Sequence, residues 1–202
     1  MLAADRLSAA KLRAGLSHCM IGREIIVLDE TTSTNDVVLQ MANEGAPEGL
    51  VVFAEHQTAG RGQRGNGWES PAGKGLLYSI LLRPNVAVQD SARLVDWAVK
   101  GIAWTLESAC LRKATIKPPN DIYIDGRKVA GVLVEMRAQP DAPHLAVVGI
   151  GANVNQTPSH FPEELRDRAT SLAIVIGGPL DRNTLAIALL RNLDRLYREG
   201  FS

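Results

Sequence analysis

The dipeptide Asp125-Gly126 constrains this chain more than any other feature. It stands between two runs of strand-forming residues, 122–124 and 128–135, and both of its residues tolerate the positive φ that a two-residue type I′ turn demands. Those runs are therefore expected to form an antiparallel hairpin, which excludes a fold made only of parallel strands and crossover helices. Further strands are expected over 25–28, 50–55, 75–83 and 145–153. A short helix is expected over 4–16, where Leu7, Ala10, Lys11 and Ala14 share a helical face and Gly15 is a stop signal. A second helix follows over 36–43, and a third over 91–110 carries Val95, Ala98, Val99, Ile102, Leu106 and Ala109 on one stripe. Asp181 caps a last helix that buries Leu185, Leu189, Leu193 and Leu196. Strands and helices alternate without a regular βαβ rhythm, so the expected class is α+β, a mixed, largely antiparallel sheet packed against helices.

A chain of 202 residues that is 46% hydrophobic suffices for one packed domain over 1–202, with 1–20 as a helical extension. Its 22 basic and 22 acidic residues leave no basic excess to neutralise phosphates, which argues against a nucleic-acid partner. Cys19 and Cys110 lie far apart and match no zinc or redox spacing, so they are expected to be reduced thiols. His18, His56, His144 and His160 are scattered without the spacing of metal ligands. No run approaches the roughly 18 apolar residues of a membrane span, and the N-terminus has no continuous apolar core of the signal-peptide kind. The expected setting is soluble and cytoplasmic, with no membrane partner.

Four segments carry candidate chemistry. Gly60–Trp68 (GRGQRGNGW) is rich in glycine and holds Arg61 and Arg64; its amides could cradle an anion, or it is simply a basic surface loop. On the second hairpin strand, alternation puts Lys128 with Ala130, Val132 and Val134, opposite Val129, Gly131, Leu133 and Glu135. A lysine among apolar residues is costly unless an anion meets it or it snorkels to water. In the 145–153 strand Gly149, Gly151 and Asn153 share one face, which leaves room for a ligand or for a closely packed helix. TTSTND, with Ser33 and Asp36 in a capping spacing, can either cap its own helix or present hydroxyls and amides to a polar ligand.

Taken in order, STN at 33–35, AEHQTAGRGQRGNGW at 54–68, KPPNDIYIDGRKVAGVLVE at 117–135 and GIGANVN at 149–155 resemble the biotin protein ligases over roughly residues 22–200. The resemblance implies the catalytic-domain fold shared by biotin protein ligases and lipoate ligases. It implies ATP-dependent conversion of biotin to biotinyl-5′-AMP and transfer to a lysine of a biotin carboxyl carrier protein or domain of acetyl-CoA carboxylase or a related carboxylase. Ser33, Thr34, Asn35, Gln57, Gly60, Arg61, Lys128, Gly131 and Gly149 would hold biotin. Arg61, Gln63, Arg64, Trp68, Asn120, Lys128 and Asn153 would hold ATP or the adenylate, with Trp68 near the adenine. Lys128 and Arg61 would be catalytic, and Asp121 would ligate Mg²⁺.

The sequence also departs from the family pattern. Gln63 stands where an arginine is usual in the glycine-rich loop, and Pro118 replaces a tryptophan, which should stiffen the chain locally. A helix-turn-helix domain is not expected in so short an N-terminal extension, nor is the small C-terminal β-barrel of many relatives, so a DNA-binding repressor fits poorly. Competing readings are a non-catalytic biotin or adenylate sensor, and a lipoate or octanoyl transferase of the same fold. An exposed strand edge could pair with a second copy or with the acceptor domain in turn.

Overall fold

The computed structural model describes residues 5–139 and 143–201, without the Arg64 side chain. In chain order the elements are α1 (Ala9–Gly15), β1 (Glu24–Thr31), α2 (Thr34–Asn43), β2 (Leu50–Gln57), β3 (Gly75–Leu82), α3 (Ala92–Cys110), β4 (Ala114–Lys117), β5 (Asp121–Ile124), β6 (Arg127–Arg137), β7 (Leu145–Asn153), α4 (Leu172–Ile176) and α5 (Arg182–Phe201). The strands form one sheet in the order β1-β2-β3-β7-β6-β5-β4, so β1 and β4 are its edges. Only β1 and β2 run parallel, because α2 connects them as a crossover helix. All other neighbours are antiparallel.

The hairpin is found as the sequence predicts, with Asp125 at φ 49° and Gly126 at φ 74°. The first helix is shorter than the expected 4–16, whose first residue lies outside the described ones; Ser8 caps it through the Lys11 amide. β4 and α4 were not expected from the sequence. In α3 the stripe holds, but Ala109 is exposed and Cys110 is buried in its place. Burial pushes the Cys110 and Cys19 thiols above their ordinary pKa, and both are free of disulfides. No helix among the described residues is long and apolar enough to cross a membrane.

The sheet is covered unequally, and that inequality positions the site. One face carries the main core, where Leu76, Tyr78, Ile80, Val148 and Ile150 meet Leu94, Ile102 and Leu106 of α3 and Leu189 and Leu193 of α5. On the other face α2 lays Val38 and Ala42 over Leu50, Val52, Leu81, Leu145 and Val147. That second face is covered by apolar contacts over part of its length only. Along β7 its residues read Leu145 and Val147 under the body of the helix, then Gly149 under Asn35 of its first turn and Gly151 beyond it. The small residues leave a recess beside α2, and the glycine-rich loop lies over it.

Candidate active site

The recess is a cavity of about 320 Å³ lined by α2, β2, the loop after it, the β4–β5 turn, β6 and β7. Ser33, Thr34, Asn35, Gln57, Arg61, Gln63, Trp68, Asn120, Asp121, Lys128, Gly131 and Gly149 all line it, so most of the expected site residues come together. Two do not. Gly60, at the base of the loop, packs against its other end, where a Cβ would collide with the Trp68 carbonyl. Asn153 is buried, donates from its amide to Thr170 O at 3.0 Å and accepts from Gln156 Nε2 at 3.0 Å. The Arg64 side chain lies outside the described residues.

Lys128 arrives by an unexpected route. Tyr123 pairs with Lys128, whereas Ile122 pairs with Ala130, so Val129 is the extra residue of a β-bulge. The bulge sends Val129, Ala130 and Val132 into the core and turns Lys128 to the cavity side with Gly131. The expectation that Lys128 shares a face with Ala130 and Val132 is corrected accordingly: one inserted residue breaks the two-residue alternation. Outside the sheet the Lys128 backbone is gripped by the chain before α4, its N–H donating to Arg168 O and its carbonyl accepting from Thr170 N, each at 2.8 Å.

Two of the cavity's cations, Arg61 and Lys128, are held by carboxylates. Arg61 donates a two-pronged hydrogen bond to Asp36, both contacts at 2.7 Å, and reaches Glu135 at 3.4 Å. The Arg61 hydrogen bonds hold the Asp36 carboxyl below its usual range, and the same bonds raise the Arg61 guanidinium. Lys128 Nζ lies 2.7 Å from Asp121 Oδ1 and 5.4 Å from the centre of the Trp68 ring. At the rim Lys117 and Arg168 have no carboxylate partner within salt-bridge distance among the described residues.

Neutral groups make the rest. Gln57 Oε1 accepts from the Thr34 N–H at 2.8 Å and lies 3.0 Å from the Thr34 hydroxyl oxygen. Asn120 donates to Val132 O at 2.8 Å, which fixes the Pro118-Pro119 turn against β6. Ser33 makes no side-chain bond to its own helix, so the capping reading of TTSTND fails at Ser33. In the loop, the amides of Gly62, Asn66 and Trp68 bond to the loop's own carbonyls, so those three do not offer the anion cradle that glycine content suggested. The Trp68 indole lies on β6 and β7, where a Cβ at Gly151 would collide with it, and its Nε1 is buried without a hydrogen-bond partner.

Sequence reasoning did not single out Lys117, Tyr123, Leu133 or Arg168, nor the pairing of Asp36 and Glu135 with Arg61. Lys117 opens the quoted KPPND segment and was within reach; Arg168 sits in no motif, and its place in the cavity lining and the Lys128 N–H bond to its carbonyl are what reveal it.

The biotin/lipoate A/B protein ligase family matches residues 27–153. The chain is 39% identical over 194 residues to the bifunctional ligase/repressor BirA of Bacillus subtilis, a match covering 96% of this chain and 60% of that protein. It is 35% identical over 210 residues to the biotin–[acetyl-CoA-carboxylase] ligase of Mycobacterium tuberculosis, covering 94% of this chain and 72% of the relative. Among solved structures, the biotin protein ligase from Aquifex aeolicus in complex with biotin and ATP superimposes with a TM-score of 0.74 at 31% identity, covering 89% of this chain and 73% of that one. A mostly antiparallel sheet with one open half-face, a glycine-rich loop closing over it, and these matches lead to one assignment: the chain belongs to the biotin/lipoate A/B protein ligase family.

Proposed function

We propose that the chain is the catalytic region of a biotin protein ligase, a single domain over 1–202 that joins biotin to a lysine of a biotin carboxyl carrier protein at the expense of ATP. The observation that carries this reading is the convergence of Lys128, from a bulged strand, and Arg61, from the glycine-rich loop, on one cavity that also presents the neutral groups of Thr34, Asn35 and Gln57. Biotin has matching halves: a neutral ureido ring with donors and an acceptor, and an anionic carboxylate. The Mycobacterium relative is named for this activity and the Aquifex structure holds biotin and ATP, which supports the same reading.

In the first step a carboxylate oxygen of biotin attacks the α-phosphorus of ATP; a P–O bond forms and the bond to pyrophosphate breaks. Lys128 and Arg61 would meet the charge that grows on the α-phosphate oxygens. Removing one such group typically costs about 3 kcal/mol, or a hundredfold in rate. Before substrates bind, Asp121, Asp36 and Glu135 hold these cations in place, so an arriving anion exchanges partners with them. Lys117 and Arg168 extend the positive rim toward a polyphosphate tail. In the second step the acceptor amine attacks the acyl carbon, the bond to phosphate breaks, AMP leaves with the electron pair and the amine loses a proton. The loop with Trp68 would shield the adenylate from water meanwhile.

Magnesium fits this site as a companion of the triphosphate. Asp121 Oδ1 is buried and, though close to Lys128, is not aligned in a hydrogen bond, so it has lone pairs to give. Such ions commonly take one or two carboxylates together with substrate phosphates. When bound, the ion would screen the phosphate charge that Lys128 and Arg61 also face.

The test is transfer: purified protein, biotin, Mg-ATP and a biotin carboxyl carrier domain, with the carrier weighed by mass spectrometry. A carrier heavier by one biotinyl group only when ATP is present is the expected result. An unchanged carrier without pyrophosphate release would overturn the proposal.

A further inference from the structure

The neutral end of the cavity is shaped by a residue that does not line it. Ser79 is fully buried in the middle of β3, on the face that α2 covers. Its hydroxyl donates to Asn35 Oδ1 at 2.6 Å and lies 2.7 Å from Thr34 Oγ1. Its neighbour across the sheet is Gly149, where a Cβ would collide with the Asn35 carboxamide. A hydroxyl and a missing side chain, side by side, thus form a seat into which Asn35 fits.

Glu135 and the seat together fix the direction of the hydrogen bonds around Asn35. Asn35 Nδ2 donates to Glu135 Oε2 at 2.5 Å, so its Oδ1 must be the atom facing Ser79. The single Ser79 proton goes to that oxygen, which leaves Ser79 Oγ an acceptor toward Thr34. Thr34 in turn presents its N–H to Gln57 Oε1 at 2.8 Å, so Gln57 Nε2 is the end turned away from Thr34, beside Gly60. One buried hydroxyl therefore holds the Asn35 carbonyl as its acceptor and the Thr34 hydroxyl as its donor, while Gln57 is set by the Thr34 backbone N–H.

We infer that Ser79 is a positioning residue for biotin, holding the side chains of Thr34 and Asn35 in the orientation they present to the cavity. The inference rests on the biotin reading above and deepens it. Ser79 touches no substrate. It acts through two side chains that do line the cavity, and a ureido ring, with two N–H donors and one carbonyl, distinguishes a correctly ordered set from a disordered one.

The test is calorimetric titration of the purified protein with biotin alone, comparing the parent with Ser79→Ala and Gly149→Ala and recording the Tm of each. Ser79→Ala is expected to raise the Kd for biotin about tenfold, the scale of one misdirected buried hydrogen bond. It should leave the KM for ATP at saturating biotin within about twofold of the parent, because Ser79 contacts neither Lys128 nor Arg61. Gly149→Ala should weaken biotin similarly by unseating Asn35, and the double variant should be weaker than the worse single by no more than about twofold, since both act on one seat. A folded Ser79→Ala protein with a lowered Tm and an unchanged Kd for biotin would overturn the inference and leave a structural serine. A parent protein that binds no biotin would instead overturn the ligase reading itself, and this inference with it.

Discussion

Lys128 shows how much one residue depends on its neighbours. Its charge is useful only because Val129 bulges out of register and swings it from the core side of β6 to the cavity side, beside Gly131 and above Asp121. Lys128→Ala should therefore leave the fold intact, since the Val129, Ala130 and Val132 packing does not involve the lysine side chain. Pyrophosphate release in the presence of biotin and ATP should fall by a hundredfold or more, on the order of 3 kcal/mol; release at the parent rate from a folded variant would remove Lys128 from the mechanism. The RKVAG run marked Lys128 by its resemblance and as a lysine in want of an anion, but the orientation of its side chain was not legible. Strict alternation puts Lys128 with Ala130 and Val132, and a bulge leaves no mark in residue type: Val129 looks like any strand valine. The same holds for Ser79, one small polar residue in the run GLLYSILL whose value appears only when Asn35 is seen resting on it.

Elements whose signals are local were legible, and those defined by partners were not. Asp125-Gly126 specified its hairpin outright, and the glycine face of β7 pointed to the recess above it. β4 is four residues long and has β5 as its one strand partner, so no periodicity announces it. Nor could the parallel pairing of β1 with β2 be read, because it follows from where α2 packs. The last helix was anticipated from Asp181, and the structure bears that out: its carboxylate accepts from the Thr184 N–H at 2.6 Å, and its carbonyl accepts from the Leu185 N–H at 3.1 Å. The backbone bond from Thr184, aided by helix-start amides, holds the Asp181 carboxyl below its usual pKa. A carboxyl lowered in the folded state adds stability above its unfolded pKa of about 3.9 and loses it as pH falls through the lower folded value. Asp181→Ala is accordingly expected to cost about 1 kcal/mol near neutral pH. Urea denaturation of parent and variant should show the gap narrowing below about pH 4; a gap independent of pH would mean that the carboxylate charge contributes nothing to the cap.

At the scale of the whole molecule, the site depends on a contact made on the far side of the chain from its motifs. Arg182, at the start of α5, has a side chain only 2% exposed. It donates to Glu55 at 2.7 Å, to the Gly75 carbonyl at 3.0 Å and to the Asp5 carbonyl at 2.6 Å. Glu55 also accepts from the Leu7 N–H at 2.8 Å, and its backbone carbonyl accepts from Gly73 at 3.0 Å. One guanidinium thus ties the N-terminal segment and the last helix to both ends of the stretch between β2 and β3, the stretch that carries Arg61 and Trp68. Strand order and contacts of this range have no local signature, which is why motif spacing located the cavity but not what braces it. Breaking a buried pair leaves its partner charge uncompensated, so Arg182→Leu should destabilise by about 3–5 kcal/mol. Adding Glu55→Gln, which keeps an acceptor for Leu7 while removing the stranded charge, should restore part of that loss. Guanidinium denaturation of the parent, both singles and the double variant measures the coupling directly. If Arg182→Leu costs less than about 1 kcal/mol, the range of an exposed pair, the brace contributes little and the loop is held by its own hydrogen bonds.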